Sequence, residues 1–177
     1  WILSVFHILP SVQITIAALL LTVATLSVGY AWTIRKELTA FIARERTTII
    51  VSEALFFIVF AGWIFYRAYD PSINHTEQPM DFAFFNASIR SSVGIPEDPW
   101  LRGESVNYYY FGYWAMGLVS QLTNVPSYIS YNLALALLPA IASSGIFCLV
   151  YNMSHPRSDK YGKALASGIS AALLLIF

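Results

Sequence analysis

SVQITIAALLLTVATLSVGYAWT, running from Ser11 to Thr33, contains no Lys, Arg, Asp or Glu, and it decides the class of fold. A helix needs roughly 20 apolar residues to cross the hydrocarbon core of a bilayer, and this stretch supplies them. Working outward, all of Trp1 to Ile34 is free of formal charge. So is Ser105 to Pro156, which is long enough for two further helices. The chain is 57% hydrophobic and 11% charged, whereas soluble domains are about a quarter charged. These features describe an all-α integral membrane protein.

The pattern predicts about five spans in one transmembrane domain, 1–177, at about 11–33, 48–69, 106–122, 128–151 and 163–177 onward. Pro139 either kinks the fourth span or breaks it into a re-entrant segment. A chain that starts at Trp1 and stops in mid-span reads as part of a longer polypeptide. The first span is too long, and lacks the charged start, for a signal peptide. Zero net charge argues against a nucleic-acid partner, and the single Cys148 leaves no disulfide to form. The bilayer is the partner that composition implies.

Orientation follows from Lys and Arg in short loops. Arg35, Lys36, Arg44 and Arg46 place the first loop in the cytoplasm, so loop 70–105 falls on the outer face, most simply of the plasma membrane. Strict alternation of five spans then puts Arg157, Lys160 and Lys163 outside as well, against the rule.

Loop 70–105 concentrates six acids: Asp70, Glu77, Asp81, Glu97, Asp98 and Glu104. Within it, Phe82, Phe85, Ile89 and Val93 recur at offsets of three and four. That spacing predicts an amphipathic helix over 79–93 lying on the membrane, ended by Gly94 and Pro96. Asp81, at the helix start, could take a proton from an acceptor hydroxyl or hold a divalent metal against a phosphate. The plainer reading is a first-turn acid after Pro79 that favours the helix dipole.

Glu77 and Asp98 flank the helix and either converge with Asp81 on one centre or serve as a solvated acid and a turn-former. Asp98 shares the possible metal role. Arg90 and Arg102 suit a donor phosphate, and Trp100 is a sugar platform or an interface anchor. Tyr108, Tyr109 and Tyr110 enter the third span together with Asn107, and these four are candidates to bind substrate, Asn107 alternatively pairing with a tyrosine hydroxyl. Helical spacing should turn at least one tyrosine inward, where its hydroxyl needs a partner. Glu53 is the one acid inside a span, suited to a polar helix contact or to proton or lipid handling. His7, His75 and His155 are isolated. Three sequons occur, at Asn74, Asn86 and Asn152.

Glu77-x-x-Met-Asp81-Phe-Ala-Phe-Phe-Asn-Ala, Asp98-Pro-Trp-Leu-x-Gly103, Asn107-Tyr-Tyr-Tyr-Phe-Gly112 and Tyr131-Asn-Leu-Ala-Leu-Ala136 resemble the prokaryotic "YYY" membrane-protein family, a domain of unknown function. The resemblance covers roughly Glu53 to the end, with Gln78 standing where the family pattern leads one to expect Lys. The order of an acid, a membrane-lying helix and a second polar motif is also similar in architecture to the glycosyltransferase C superfamily. That resemblance implies an enzyme moving a sugar from a polyprenyl-phosphate donor to an acceptor on the outer face. Asp81 would be its catalytic or metal-holding acid, supported by Glu77 and Asp98. The alternative is a non-catalytic structural or assembly subunit, with other membrane subunits as partners.

Overall fold

The computed structural model describes residues 1–154 and 161–176. Seven helices are present among them: α1 (Ile2–Val5), α2 (Gln13–Thr33), α3 (Arg35–Tyr69), α4 (Gln78–Arg90), α5 (Phe111–Thr123), α6 (Ser127–Ser154) and α7 (Tyr161–Ile176). No strand occurs among the described residues, only a single antiparallel bridge between Glu97 and Ser105. Arg157, Lys160 and His155 lie outside the described residues.

Three helices, α2, α3 and α6, are long and apolar enough to cross a membrane. α2 is apolar on every side, and Ile14, Leu21, Leu26 and Val28 are all exposed, as a helix facing lipid should be. Several of its hydroxyls bond within the helix. Thr22 donates to the Ala18 carbonyl at 2.8 Å and Thr25 to that of Leu21 at 2.7 Å, so neither carries an unmet polar group into lipid.

The expected loop around Arg35, Lys36, Arg44 and Arg46 is instead the beginning of α3, which Ile34 alone separates from α2. No Gly or Pro interrupts Arg35 to Ala61, and Lys, Glu, Leu, Ala and Arg all favour helix. At 1.5 Å per residue, α3 is about 52 Å long, so its basic first turns extend past a core of about 30 Å.

The third expected span, 106–122, becomes the 13-residue α5. At about 20 Å it is too short to cross. Its start is delayed because Val106 is held outside any helix, its N–H donating to the Pro96 carbonyl at 3.0 Å. Asn107 to Tyr110 therefore precede the helix. α7 is described over Tyr161–Ile176, within the fifth expected span. α6 runs unbroken through Pro139, which disposes of the re-entrant reading. The Ser143 hydroxyl donates to the Pro139 carbonyl at 2.6 Å.

The chain divides into two compact units. Trp1–Thr33 with Pro71–Asn132 form the first, and Ile34–Asp70 with the described part of Leu133–Phe177 form the second. In the first unit α5 packs against α4 and α2. The core holds Phe84, Phe85, Val106, Trp114 and Tyr131. The face of α4 read as a membrane stripe meets protein. Phe85 is only 1% exposed, Phe82 lies edge-on to Tyr131 at 5.5 Å, and Ile89 abuts Gly117 of α5. In the second unit Gly168 of α7 sits directly against the Phe147 backbone of α6.

These two close approaches differ in tightness. A Cβ at Gly117 would meet Ile89 and Ser88 at 3.4–3.5 Å, an ordinary contact, whereas one at Gly168 would lie 2.9 Å from the Phe147 carbonyl oxygen. We expect Gly117→Ala to leave stability nearly unchanged. Gly117→Leu and Gly168→Ala should each cost about 1–3 kcal/mol, read as a lowered midpoint of thermal unfolding in detergent.

Candidate active site in the acidic loop

Phe84 organises the site. It is 5% exposed and stacks on Tyr108 at 5.2 Å and on Tyr113 at 5.9 Å, while the Trp100 ring meets it edge-on at 5.2 Å. One ring thus gathers α4, the turn at Pro99 and the start of α5. Aromatic pairs of this kind each contribute about 0.5–1.5 kcal/mol beyond simple burial.

Asp81, one helical turn before Phe84, accepts a 2.5 Å hydrogen bond on Oδ1 from the Tyr113 hydroxyl. Burial first, and then the hydrogen bond to this carboxylate, push the Tyr113 pKa well above the ordinary tyrosine range. Tyr113 is thereby kept as a proton-bearing donor. Oδ2 of Asp81 has no donor among the described residues, which leaves it available to a hydroxyl. Glu77 is exposed at the N-cap of α4, and its side chain makes no capping bond.

Beyond α4 the loop folds back through the Glu97–Ser105 bridge. Asp98 Oδ1 accepts the N–H groups of Trp100 at 2.8 Å and Leu101 at 3.1 Å, the Asx turn expected of that residue. Glu97 Oε1 accepts the Gly103 N–H at 2.7 Å, and Gly103 adopts a φ of 87° that glycine takes without strain. Between this turn and the end of α4 lies an open cavity of about 860 Å³. Its lining includes Arg90, Asp98, Trp100, Arg102 and Glu104. Neither guanidinium has an ion-pair or hydrogen-bond partner among the described residues, and the Glu104 carboxylate is likewise unengaged.

Over residues 1–177 the sequence matches the family described as uncharacterized membrane protein (DUF2298). The chain belongs to that family. No curated protein and no solved structure matches it.

In this DUF2298 chain the fold brings Arg90, Asp98, Trp100 and Arg102 to one cavity, and it ties Asp81 to the same aromatic hub through Tyr113 and Phe84. Glu77 and Asn107 are exposed apart from these contacts. Of the tyrosine triplet, Tyr108 stacks on the hub while Tyr109 is 85% exposed. The tyrosine turned inward onto a partner is Tyr113, because the triplet precedes α5 and does not follow helical spacing. Among the described residues no three His, Cys, Asp or Glu side chains converge as a metal site. Asp98 in addition commits one of its oxygens to its turn. Glu53 lies in the other unit, beside a cavity with Glu45, Ser52 and Cys148.

Sequence reading passed over Phe84, Tyr113, Glu97 and Glu104 as site residues. Phe84 stands off the three-four stripe that marks Phe85. The Phe84-Phe85 pair, with two apolar faces on one short helix, was the available signal that α4 is enclosed by protein on more than one side.

The Asp81–Tyr113 bond sets an alkaline limit. A folded pKa raised above the unfolded value near 10 gives stability that is complete below that pH and declines as pH climbs towards the folded value. We expect unfolding stability to fall above about pH 10, and Tyr113→Phe to remove that component of the fall. Phenolate absorbance of the folded protein should show Tyr113 resisting titration, with one fewer resistant tyrosine in the same variant.

Proposed function

We propose that this chain carries part of a C-type membrane glycosyltransferase that moves a sugar from a polyprenyl-phosphate donor to an acceptor hydroxyl at the outer surface of the plasma membrane. The observation that supports it is the cavity in which two unpaired guanidinium groups, an exposed indole and an unengaged carboxylate face one space. Arginine is suited to bidentate phosphate binding, and Trp100 offers a flat face to a sugar ring.

Asp81, Phe84, Ala87 and Arg90 stand at steps of three along α4, a row that winds about half-way round the helix. It extends about 13 Å along the axis. A donor phosphate would be held by Arg90 and Arg102 with its sugar against Trp100, while Asp81, outside this cavity's lining, is tied to the same hub through Tyr113 and Phe84 and would receive the acceptor hydroxyl. The acceptor oxygen attacks the anomeric carbon as the bond to the phosphate oxygen breaks. Asp81 Oδ2 takes the acceptor proton, and the polyprenyl phosphate leaves with its charge held by the arginines.

Orientation agrees with three spans better than with five. If α2, α3 and α6 alone cross, loop 70–105 and α5 share the outer side. The basic turns at the start of α3 and Lys163 then fall in the cytoplasm, as the charge rule asks.

A second reading, a non-catalytic assembly subunit, draws on the use of the Glu97 and Asp98 carboxylates to cap their own loop. Binding to the intact protein in lipid nanodiscs separates the two. Under the transferase reading, polyprenyl phosphate binds far more tightly than polyprenol, and Arg90→Gln and Arg102→Gln each weaken it about tenfold. Asp81→Asn keeps binding but lowers sugar transfer by about 10²–10⁴. Equal binding of the phosphate and the alcohol, or full transfer by Asp81→Asn, would reject it.

A further inference from the structure

A second cavity, of about 480 Å³, lies on the other side of Arg90, Ser91 and Ser92, which line both spaces. It opens where α2 and α6 begin, beside Gln13 and Ser127, and so at the polar boundary from which these two spans enter the membrane. Its lining contains no Asp or Glu and no aromatic residue, and its apolar contribution is limited to Val12, Ile89 and Val125. The remaining lining side chains are serines, amides and the single Arg90.

The amides are only partly used. Gln121 spends its Nε2 on the Ile89 carbonyl, while its Oε1 is buried with no hydrogen-bond partner. A buried acceptor left without a donor costs about 1–3 kcal/mol, so the Gln121 amide keeps an unmet acceptor beside the cavity. Asn86 spends its Nδ2 on the Phe82 carbonyl at 2.7 Å, which frees Oδ1. Asn124, in the left-handed conformation at the end of α5, adds an amide with no partner among the described residues.

We infer that this cavity is a binding site for an uncharged carbohydrate ring. With no carboxylate in its lining it has nothing to hold a cation. Its polar lining disfavours a lipid tail. Sugar hydroxyls each donate and accept, and amides supply both functions from one planar group. The site stands on its own geometry and goes beyond the transferase reading. Through the shared Arg90 wall it adjoins the space proposed for the donor.

The test uses the intact protein in nanodiscs, with methyl glucoside, methyl galactoside and N-acetylglucosamine as soluble probes and saturation-transfer NMR as the readout. At least one sugar should bind saturably. Asn124→Gly, which keeps the left-handed backbone, and Gln121→Leu should each weaken it about tenfold. Both should leave the affinity for polyprenyl phosphate unchanged. Absence of saturable binding by all three sugars, or binding untouched in a folded Asn124→Gly protein, overturns the site. Inorganic phosphate competing with the sugar at equal concentration would also overturn it, by making the cavity an anion site. Sugar binding without discrimination between polyprenyl phosphate and polyprenol would uphold this site while the transferase reading falls.

Discussion

Burial of the Phe84 ring is the constraint on which the first unit depends. Three segments that are remote in sequence supply its neighbours: Trp100 from the loop, Tyr108 from the triplet and Tyr113 from α5. Nothing local would hold an acidic loop against a membrane helix. An aromatic ring nearly closed to water does so, because its neighbours lose contact together if any segment leaves. The Asp81–Tyr113 bond then fixes the angular position of α4 beside α5, and Gly117 allows the two backbones to approach.

The loop handles its charges unequally, and that inequality gives the site its character. Glu97 and Asp98 accept backbone N–H groups and close the turn that carries Trp100. Arg90 and Arg102 receive no such partner. An acidic segment by composition thus becomes, at the cavity wall, a place where the unsatisfied groups include two cations. Hydrogen bonding, more than net charge, decides which groups remain for a ligand.

The apolar part follows simpler rules. α2 meets its surroundings with side chains on all faces and keeps the hydroxyls of Thr22, Thr25 and Thr33 bonded to its own carbonyls, so the bilayer is its natural solvent. α5 has a similar composition but a different fate. The turn before it consumes Val106 and leaves too few residues to cross. Membership of the DUF2298 family is in keeping with this membrane architecture.

Much was legible in the sequence itself. Charge-free runs, the all-α membrane class, the location of α4 and the grouping of acids in one loop all depend on transfer free energies and spacing summed over neighbouring residues. Such quantities are local and add along the chain. Composition could not show that α5 stops short, that Tyr113 is the tyrosine turned inward, or that Arg90 stands between two cavities. Those outcomes were decided by tertiary structure, because they rest on contacts across tens of residues, where chain reversal and competition for hydrogen-bond partners select one arrangement among several of equal local merit.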